Sequence, residues 1–198
     1  GISCNAYFLM TGGTVTISGV GDDGIQCDLD GETATAATND DHGSEDTGNI
    51  YIEDGTLTVS VPTAAKAGKC VKSAGDILVS GGTVKLNAFG AIDLTDATNP
   101  SCTTGFKADG NFTQNGGNIT ITVTGAAGRG ISVDGTFATP SSSTGSLTIN
   151  NNGAVSYSTS SAATKYFCTA KGIKAGEVVI DGGTINITTS GAAIDNYL

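Results

Sequence analysis

The sequence predicts an all-β protein built as a parallel β-helix of about six or more coils, with three short strands per coil and loop insertions. Three observations predict this fold. A two-part motif recurs six times, apolar residues alternate with period two inside each copy, and glycines separate the alternating runs. Since period-two alternation places every second side chain on one face of a strand, each copy reads as strands joined at glycine corners.

The motif begins with Gly-Ile-x-small and ends with Gly-Gly-Thr-apolar-x-apolar, with variants. Clear examples of the first part are residues 24–27 and 172–175, and clear examples of the second are residues 12–17 and 182–187. The closest copies begin about 23 to 25 residues apart, which is typical of one solenoid coil. We expect one domain over residues 1–198, as a portion of a longer chain, because residues 193–196 resemble the start of another coil.

Stacking the copies in register predicts three columns of inward apolar side chains. The first-strand column is Ile2, Ile25, Val71, Phe106, Ile131 and Ile173. The second is Phe8, Ile50, Ile77, Phe112, Leu147 and Val178, and the third is Ile17, Val59, Leu86, Ile121, Tyr157 and Ile187. Gln114 interrupts the second-strand pattern and needs a buried hydrogen-bond partner. The wider gaps predict surface insertions near residues 31–48, 61–68, 94–103, 138–144 and 158–170.

Charge and hydropathy exclude two classes of partner. The chain has 19 Asp and Glu residues against 9 Lys and Arg, a net charge of −10. Nucleic-acid binding needs a basic surface, so this balance argues against a nucleic-acid partner. Membrane insertion is not expected either, because no apolar run approaches the ~20 residues of a spanning helix.

The motifs at residues 172–175 and 181–191, together with residues 105–110, resemble a family of secreted bacterial carbohydrate-binding-domain-containing proteins. The resemblance covers essentially all of the chain. It implies a right-handed parallel β-helix similar in shape to pectate lyases, and an extracellular or cell-surface location. It also implies association with calcium and binding of plant cell-wall polysaccharide, either cellulosic or acidic and polygalacturonate-like. We therefore expect non-catalytic, calcium-assisted polysaccharide binding.

Candidate ligand-binding cations follow the first-strand column on its outward side. The outward positions are Ser3, Gln26, Lys72, Lys107, Ser132 and Lys174. The three lysines suit an anionic sugar, and Arg129, the single arginine of the chain, is expected beside Lys107. The alternative is that these charges only keep the sheet face soluble.

Tyr51 is a further candidate ligand-binding residue because it lies in an outward apolar column of the second strands, between Leu9 and Leu78. Such a column predicts a sugar-stacking strip, an oligomer contact, or a surface covered by a folded-back insertion.

Two groups of carboxylates are candidate calcium ligands. Asp109 and Asp134 are expected about 5 Å apart on neighbouring coils, where like charges repel by about 1 kcal/mol in water. A hard divalent cation would relieve that repulsion. Residues 22–54 hold eleven acidic residues and no Lys or Arg, and four of them are close enough in sequence to share one ion. Those four are Asp22, Asp23, Asp28 and Asp30. A solvated acidic loop is the alternative.

Two other functions stay open. A calcium-dependent, pectate-type polysaccharide lyase would use Arg129 as the base that removes the sugar proton. A surface adhesin or structural solenoid would need only the stacked coils and their loops.

Overall fold

The computed structural model describes residues 1–29, 35, 48–161 and 164–191, and all regular structure in these residues is β. In chain order the strands are β1 Ile2–Cys4, β2 Tyr7–Ser18, β3 Ile25–Cys27, β4 Asn49–Val61, β5 Lys69–Ser73, β6 Ile77–Val79, β7 Thr83–Ala88, β8 Thr104–Ala108, β9 Phe112–Gln114, β10 Asn118–Val123, β11 Arg129–Val133, β12 Thr136–Thr139, β13 Ser146–Asn151, β14 Ser156–Ser161, β15 Thr164–Cys168, β16 Lys171–Lys174, β17 Glu177–Ile180 and β18 Thr184–Thr189. The described residues include no hydrophobic helix of membrane-spanning length.

The repeats generate parallel sheets. One sheet contains six strands in the order β1-β3-β5-β8-β11-β16. A second, curled sheet contains ten strands, because β2 and β4 run without a break through two successive segments of their repeats. β4 pairs with β6 through Ile50–Ile52 and with β7 through Thr56–Val61. Each repeat therefore contributes one segment to each of three parallel stacks, which we call the first, second and third faces.

The predicted first-strand register is confirmed from end to end. Ile2 pairs with Ile25, and the pairing continues through Val71, Phe106, Ile131 and Ile173. The four middle members of this column are completely buried. Residues about 23 to 46 positions apart in sequence therefore lie directly above one another, which puts the outward positions beside them in register as well.

The prediction for the fifth repeat was wrong in the second and third columns. Phe137, not Leu147, pairs with Phe112 and Val178. Leu147 belongs to β13 on the third face, where Ile149 takes the position predicted for Tyr157. The physical reason is that residues 145–149 and 153–157 both alternate with period two after a glycine, and the stacking on Ile119 and Ile121 selects the first segment.

Tyr157 instead lies in an antiparallel hairpin formed by β14 and β15. The hairpin occupies most of the insertion predicted at residues 158–170. Residues 138 and 139, predicted as part of another insertion, belong to β12. The insertion predicted at residues 31–48 lies outside the described residues except at Thr35 and Gly48.

A ladder of polar side chains holds the corner between the first and second faces. The Asn49 Oδ1 atom accepts from the Asp76 amide at 2.7 Å, and Asp76 Oδ1 accepts from the Asn111 amide at 2.6 Å. Asn111 Oδ1 accepts in turn from the Thr136 amide at 2.9 Å. Each side chain therefore satisfies a backbone donor that a strand ladder would leave unpaired at a corner. The motif Gly-Asx-apolar, at residues 48–50, 75–77 and 110–112, is its sequence signal.

Candidate functional site

A cleft on the first face gathers most of the positive charge of the protein. It has a volume of about 290 Å³ and is referred to below as the basic cleft. Its lining consists of Lys69, Lys72, Asn99, Pro100, Ser101, Cys102, Thr104, Lys107, Arg129, Ser132 and Lys174. Five of the nine Lys and Arg residues of a chain with net charge −10 therefore share one concave surface.

Strand register explains how the cations meet. Lys72 and Lys107 are direct partners in β5 and β8, and Ser132 and Lys174 continue the same outward column. A second column at the strand starts joins Lys69, Thr104 and Arg129. The structure thus brings together the four cations predicted from sequence, Lys72, Lys107, Arg129 and Lys174.

Lys69 completes the cationic set and was missed by the sequence analysis. Its ammonium donates to the Ala67 carbonyl and to Ser101 Oγ at 3.1 Å. Burial lowers the pKa of Lys69 below its ordinary value, although the nearby Asp23 carboxylate acts in the opposite direction. The sequence indicates Lys69 only through strand register. Lys69 lies two positions before the inward Val71, as Arg129 lies two positions before the inward Ile131.

The guanidinium group of Arg129 is only partly hydrogen-bonded within the described part of the protein. Its Nη1 atom donates a long hydrogen bond of 3.4 Å to Ser132 Oγ. Its Nε atom is buried and has no hydrogen-bond partner among the described residues. Leaving a buried donor unsatisfied costs about 1–3 kcal/mol, so an acceptor supplied from outside would be stabilised here.

The backbone is strained where two strands enter the basic cleft. Ala67 and Ala127 have φ of 54°, in the left-handed region that non-glycine residues avoid. Ala67 lies two residues before Lys69, and Ala127 two residues before Arg129. Strain of this kind, about 1–3 kcal/mol per residue, is concentrated at ligand-binding positions in proteins.

Acidic side chains border the basic cleft. The Lys107 ammonium lies 2.7 Å from Asp109 Oδ1 and 3.0 Å from Asp134 Oδ2. Asp109 and Asp134 are therefore neighbours, and the Lys107 ammonium lies between them. Their side chains remain 54% and 61% exposed.

The other predicted calcium ligands lie at opposite ends of β3, with Asp22 and Asp23 before the strand and Asp28 after it. Asp23 Oδ1 accepts from the Lys69 amide at 2.7 Å, and Asp23 Oδ2 lies 3.6 Å from the Lys72 ammonium. Asp28 accepts from Gln26 Nε2 at 2.6 Å, and Asp22 is exposed. Asp30 lies outside the described residues. Within the described ranges, no three His, Cys, Asp or Glu side chains are grouped to hold a metal ion.

Tyr51 does not contribute to a ligand-binding surface. Its side chain is 1% exposed, its ring packs edge-on against Tyr7 with centroids 6.3 Å apart, and its hydroxyl accepts from Asn49 Nδ2. The sugar-stacking interpretation of this residue is therefore wrong. Asn49 also donates to the Thr35 carbonyl, so a residue of the predicted insertion does lie over this part of the sheet.

The third face differs from the basic cleft because it is almost uncharged. Its outward positions form three columns that begin at Thr14, Thr16 and Ser18 and continue in register across six strand segments. Seventeen of these 18 positions are Thr, Ser or Asn, and the remaining one is Lys85. A depression of about 200 Å³ at one edge is lined by Thr122, Asn150, Asn151, Asn152, Thr188 and Ser190.

Comparison with known proteins identifies a family for the chain. A family model described as "Carbohydrate-binding domain-containing protein" matches residues 1–139, which include four of the five cleft cations. No curated protein and no solved structure shows significant similarity to the chain. Because the match covers well over half of the sequence, the chain belongs to the family of carbohydrate-binding domain-containing proteins.

Proposed function

We propose that the protein binds acidic polysaccharide non-catalytically in the basic cleft. The observation that carries the proposal is the convergence of five cationic side chains on one cleft of a strongly acidic protein. An acidic molecule would repel a polyanion elsewhere on its surface, so the cleft is where such a ligand gains the most Coulomb energy. Sugar carboxylates would be held by Lys72, Lys107 and Lys174, with Arg129 supplying its unpaired donor.

The test is binding of polygalacturonate to matched charge variants, measured by calorimetry. The double variant Lys72→Ala/Lys107→Ala should lose at least about tenfold in affinity, or about 1.4 kcal/mol. Lys85→Ala removes the same kind of charge from the third face and should bind as the wild type does. Binding should also weaken with added salt, since exposed charges are screened within about 10 Å at 0.1 M. Wild-type affinity in the double variant would refute the proposal.

We also propose that calcium assists binding at Asp109 and Asp134. The support is their adjacency on neighbouring strands and their exposed oxygens, which suit a hard cation. The ion would have to share or replace the Lys107 ammonium. Affinity for polygalacturonate should then fall when calcium is removed by a chelator, and Asp134→Asn should abolish the difference. Equal affinities with and without calcium in the wild type would refute the role of calcium but not the proposed binding in the basic cleft.

The third face supports a cellulosic ligand as the second candidate. Its hydroxyls and amides can exchange hydrogen bonds with an uncharged sugar chain without desolvating a charge. Binding of cellulose that is insensitive to salt, and weakened by Thr120→Lys but not by Lys107→Ala, would identify this face. Binding lost in both variants would speak against a separate neutral site.

A polysaccharide lyase is less well supported than a binding protein. Arg129 lines the basic cleft, but a guanidinium stays protonated near neutral pH and so makes a poor base. Ultraviolet absorbance of an unsaturated uronate product on polygalacturonate would reveal a lyase. An adhesin or purely structural solenoid would bind none of these glycans.

We further infer that the chain is a right-handed parallel β-helix that acts outside the cell or at its surface. Three stacks of parallel segments, each receiving one segment per repeat, support a helical path of the chain. Crossover connections between parallel strands are right-handed in about 98% of cases, which supports the hand. The proposed polysaccharide ligand supports the location.

A further inference from the structure

We propose that the basic cleft selects glycans in which charged sugars are separated by neutral ones, and that Asp109 and Asp134 impose this selectivity. The inference rests on the proposed binding of acidic polysaccharide in the basic cleft and adds the charge pattern of the ligand.

The charge of the first face changes sign abruptly at Lys107. Its ammonium lines the basic cleft, whereas Asp109, the residue that directly follows β8, accepts from that ammonium at 2.7 Å and lines a different depression. Asp134 follows β11 in the same way, and its backbone amide donates to the Ala108 carbonyl. The two carboxylates therefore form a negative border across the end of the basic cleft.

A second depression lies on the far side of that border. It has a volume of about 270 Å³ and is lined by Thr35, Ala74, Gly75, Asp76, Asp109, Gly110 and Asn111. Asp109 thus faces this depression while its ion-pair partner Lys107 faces the basic cleft. A glycan that leaves the basic cleft over Lys107 has room for a further sugar here.

The two depressions favour different sugars. Carboxylates accept hydrogen bonds from sugar hydroxyls but repel a sugar carboxylate, whereas the ammonium and guanidinium groups of the basic cleft attract one. A chain that carries a carboxylate on every sugar would place one of them against Asp109 or Asp134. A glycan with neutral sugars between its charged ones can place a carboxylate in the basic cleft and a neutral sugar in the second depression. The selectivity therefore arises because Asp109 and Asp134 repel the uniformly charged glycan.

The experiment is done with calcium removed by a chelator, so that no bound ion offsets the charge of Asp109 and Asp134. It compares polygalacturonate with the same polymer methyl-esterified at half and at all of its carboxylates, so that only the charge pattern changes. Per free carboxylate, the wild type should bind the half-esterified polymer about fivefold more tightly than polygalacturonate, and the fully esterified polymer should not bind. In Asp109→Asn/Asp134→Asn, which also releases Lys107, both charged polymers should bind more tightly and their ratio should approach one. Asp181→Asn, an exposed carboxylate on another face, should keep the wild-type ratio.

The outcomes separate this inference from the proposal on which it rests. A wild-type affinity per carboxylate that is equal for both charged polymers, or a ratio unchanged in Asp109→Asn/Asp134→Asn, would overturn the selectivity while the basic cleft stands. If Lys72→Ala/Lys107→Ala bound all the polymers with the affinity of the wild type, both the proposed binding in the basic cleft and the selectivity would be wrong.

Discussion

The rings of Phe112 and Phe137 are stacked with nearly parallel planes, with centroids 5.5 Å apart and an interplanar angle of 8°. Phe106 also packs against Phe112, with centroids 5.1 Å apart and planes tilted by 56°. All three rings are completely buried. This aromatic group joins the interiors of the first and second faces below the strands that carry Lys107 and Arg129, so its packing supports the basic cleft.

Removing one ring of this group should destabilise the protein strongly. Phe137→Ala should lower the free energy of unfolding by about 3–5 kcal/mol, because it deletes buried apolar area and leaves a cavity. Phe137→Leu keeps most of the volume and should cost clearly less. Urea unfolding followed by circular dichroism gives both values. A loss below about 1 kcal/mol in Phe137→Ala would contradict the packing described.

Gln114 is the polar residue predicted to need a buried partner, and it finds three. Its Nε2 atom lies 3.2 Å from the carbonyl oxygens of Gly116, Gly117 and Ser146, with the side chain 1% exposed. Gln114→Met keeps the approximate volume and removes the donor, so we expect a loss of about 1–3 kcal/mol in the free energy of unfolding.

Gln114→Glu tests the same site with a side chain of nearly the same shape that carries a charge. It preserves the shape but turns a carboxylate toward three carbonyl oxygens, so it should be less stable at neutral pH than the methionine variant. If Gln114→Met unfolded at the wild-type urea concentration, the three hydrogen bonds would contribute nothing measurable.

Replacing individual glycines by alanine should distinguish the cost of backbone strain from the cost of steric crowding at the corner between the second and third faces. Gly117 has φ of 75°, and a Cβ added there would lie 2.5 Å from the Gly81 carbonyl oxygen. Gly13 has φ of 78° but nothing within 4 Å of an added Cβ, and Gly12 has neither problem. In urea unfolding, Gly13→Ala should therefore cost about 1–2 kcal/mol and Gly117→Ala distinctly more.

Gly12→Ala is the control for this series and should leave the unfolding midpoint nearly unchanged. Equal losses in Gly13→Ala and Gly117→Ala would mean that the stacked carbonyl of the neighbouring repeat imposes no steric limit.

The repeats predicted the fold to the level of individual register pairs, because identical spacing forces equivalent residues into one column. The first-strand column was correct throughout, and with it the alignment that brings Lys72 and Lys107 together. The fifth repeat failed because two neighbouring segments carry the same alternation, and stacking on β10 chooses between them. Burial of Tyr51 was one of three alternatives for its column, and the strand pattern does not choose among them because the choice depends on contacts from outside that pattern.

The candidate site was only partly predictable for a related reason. The loop at residues 99–102 reaches the basic cleft through the three-dimensional path of the chain between repeats, and no motif marks it. Lys69 was missed although its register with Thr104 and Arg129 places it in the same outward column. The bridging position of the Lys107 ammonium between Asp109 and Asp134 likewise follows from side-chain reach. Alternation places these residues on one face but does not say which pairs will form.

Buried thiols should make the protein sensitive to alkali. Cys70 is completely buried, and burial raises its pKa to about 12, whereas a thiol in an unfolded chain has a pKa of about 8.5. Because the folded pKa is the higher one, the stabilising contribution is complete below about pH 8.5 and is lost as the pH rises toward about 12. The loss amounts to about 1.4 kcal/mol per pH unit for one thiol.

Comparing Cys70→Ala with the wild type isolates this effect from other titrating groups. The variant should be less stable at pH 7, but the difference in unfolding free energy should shrink steadily between about pH 9 and 11, because alanine has no proton to lose. Val71→Ala, at the next buried position, should differ from the wild type by the same amount at every pH. A constant difference for Cys70→Ala across that range would show that the thiol ionises equally easily in the folded and unfolded chains.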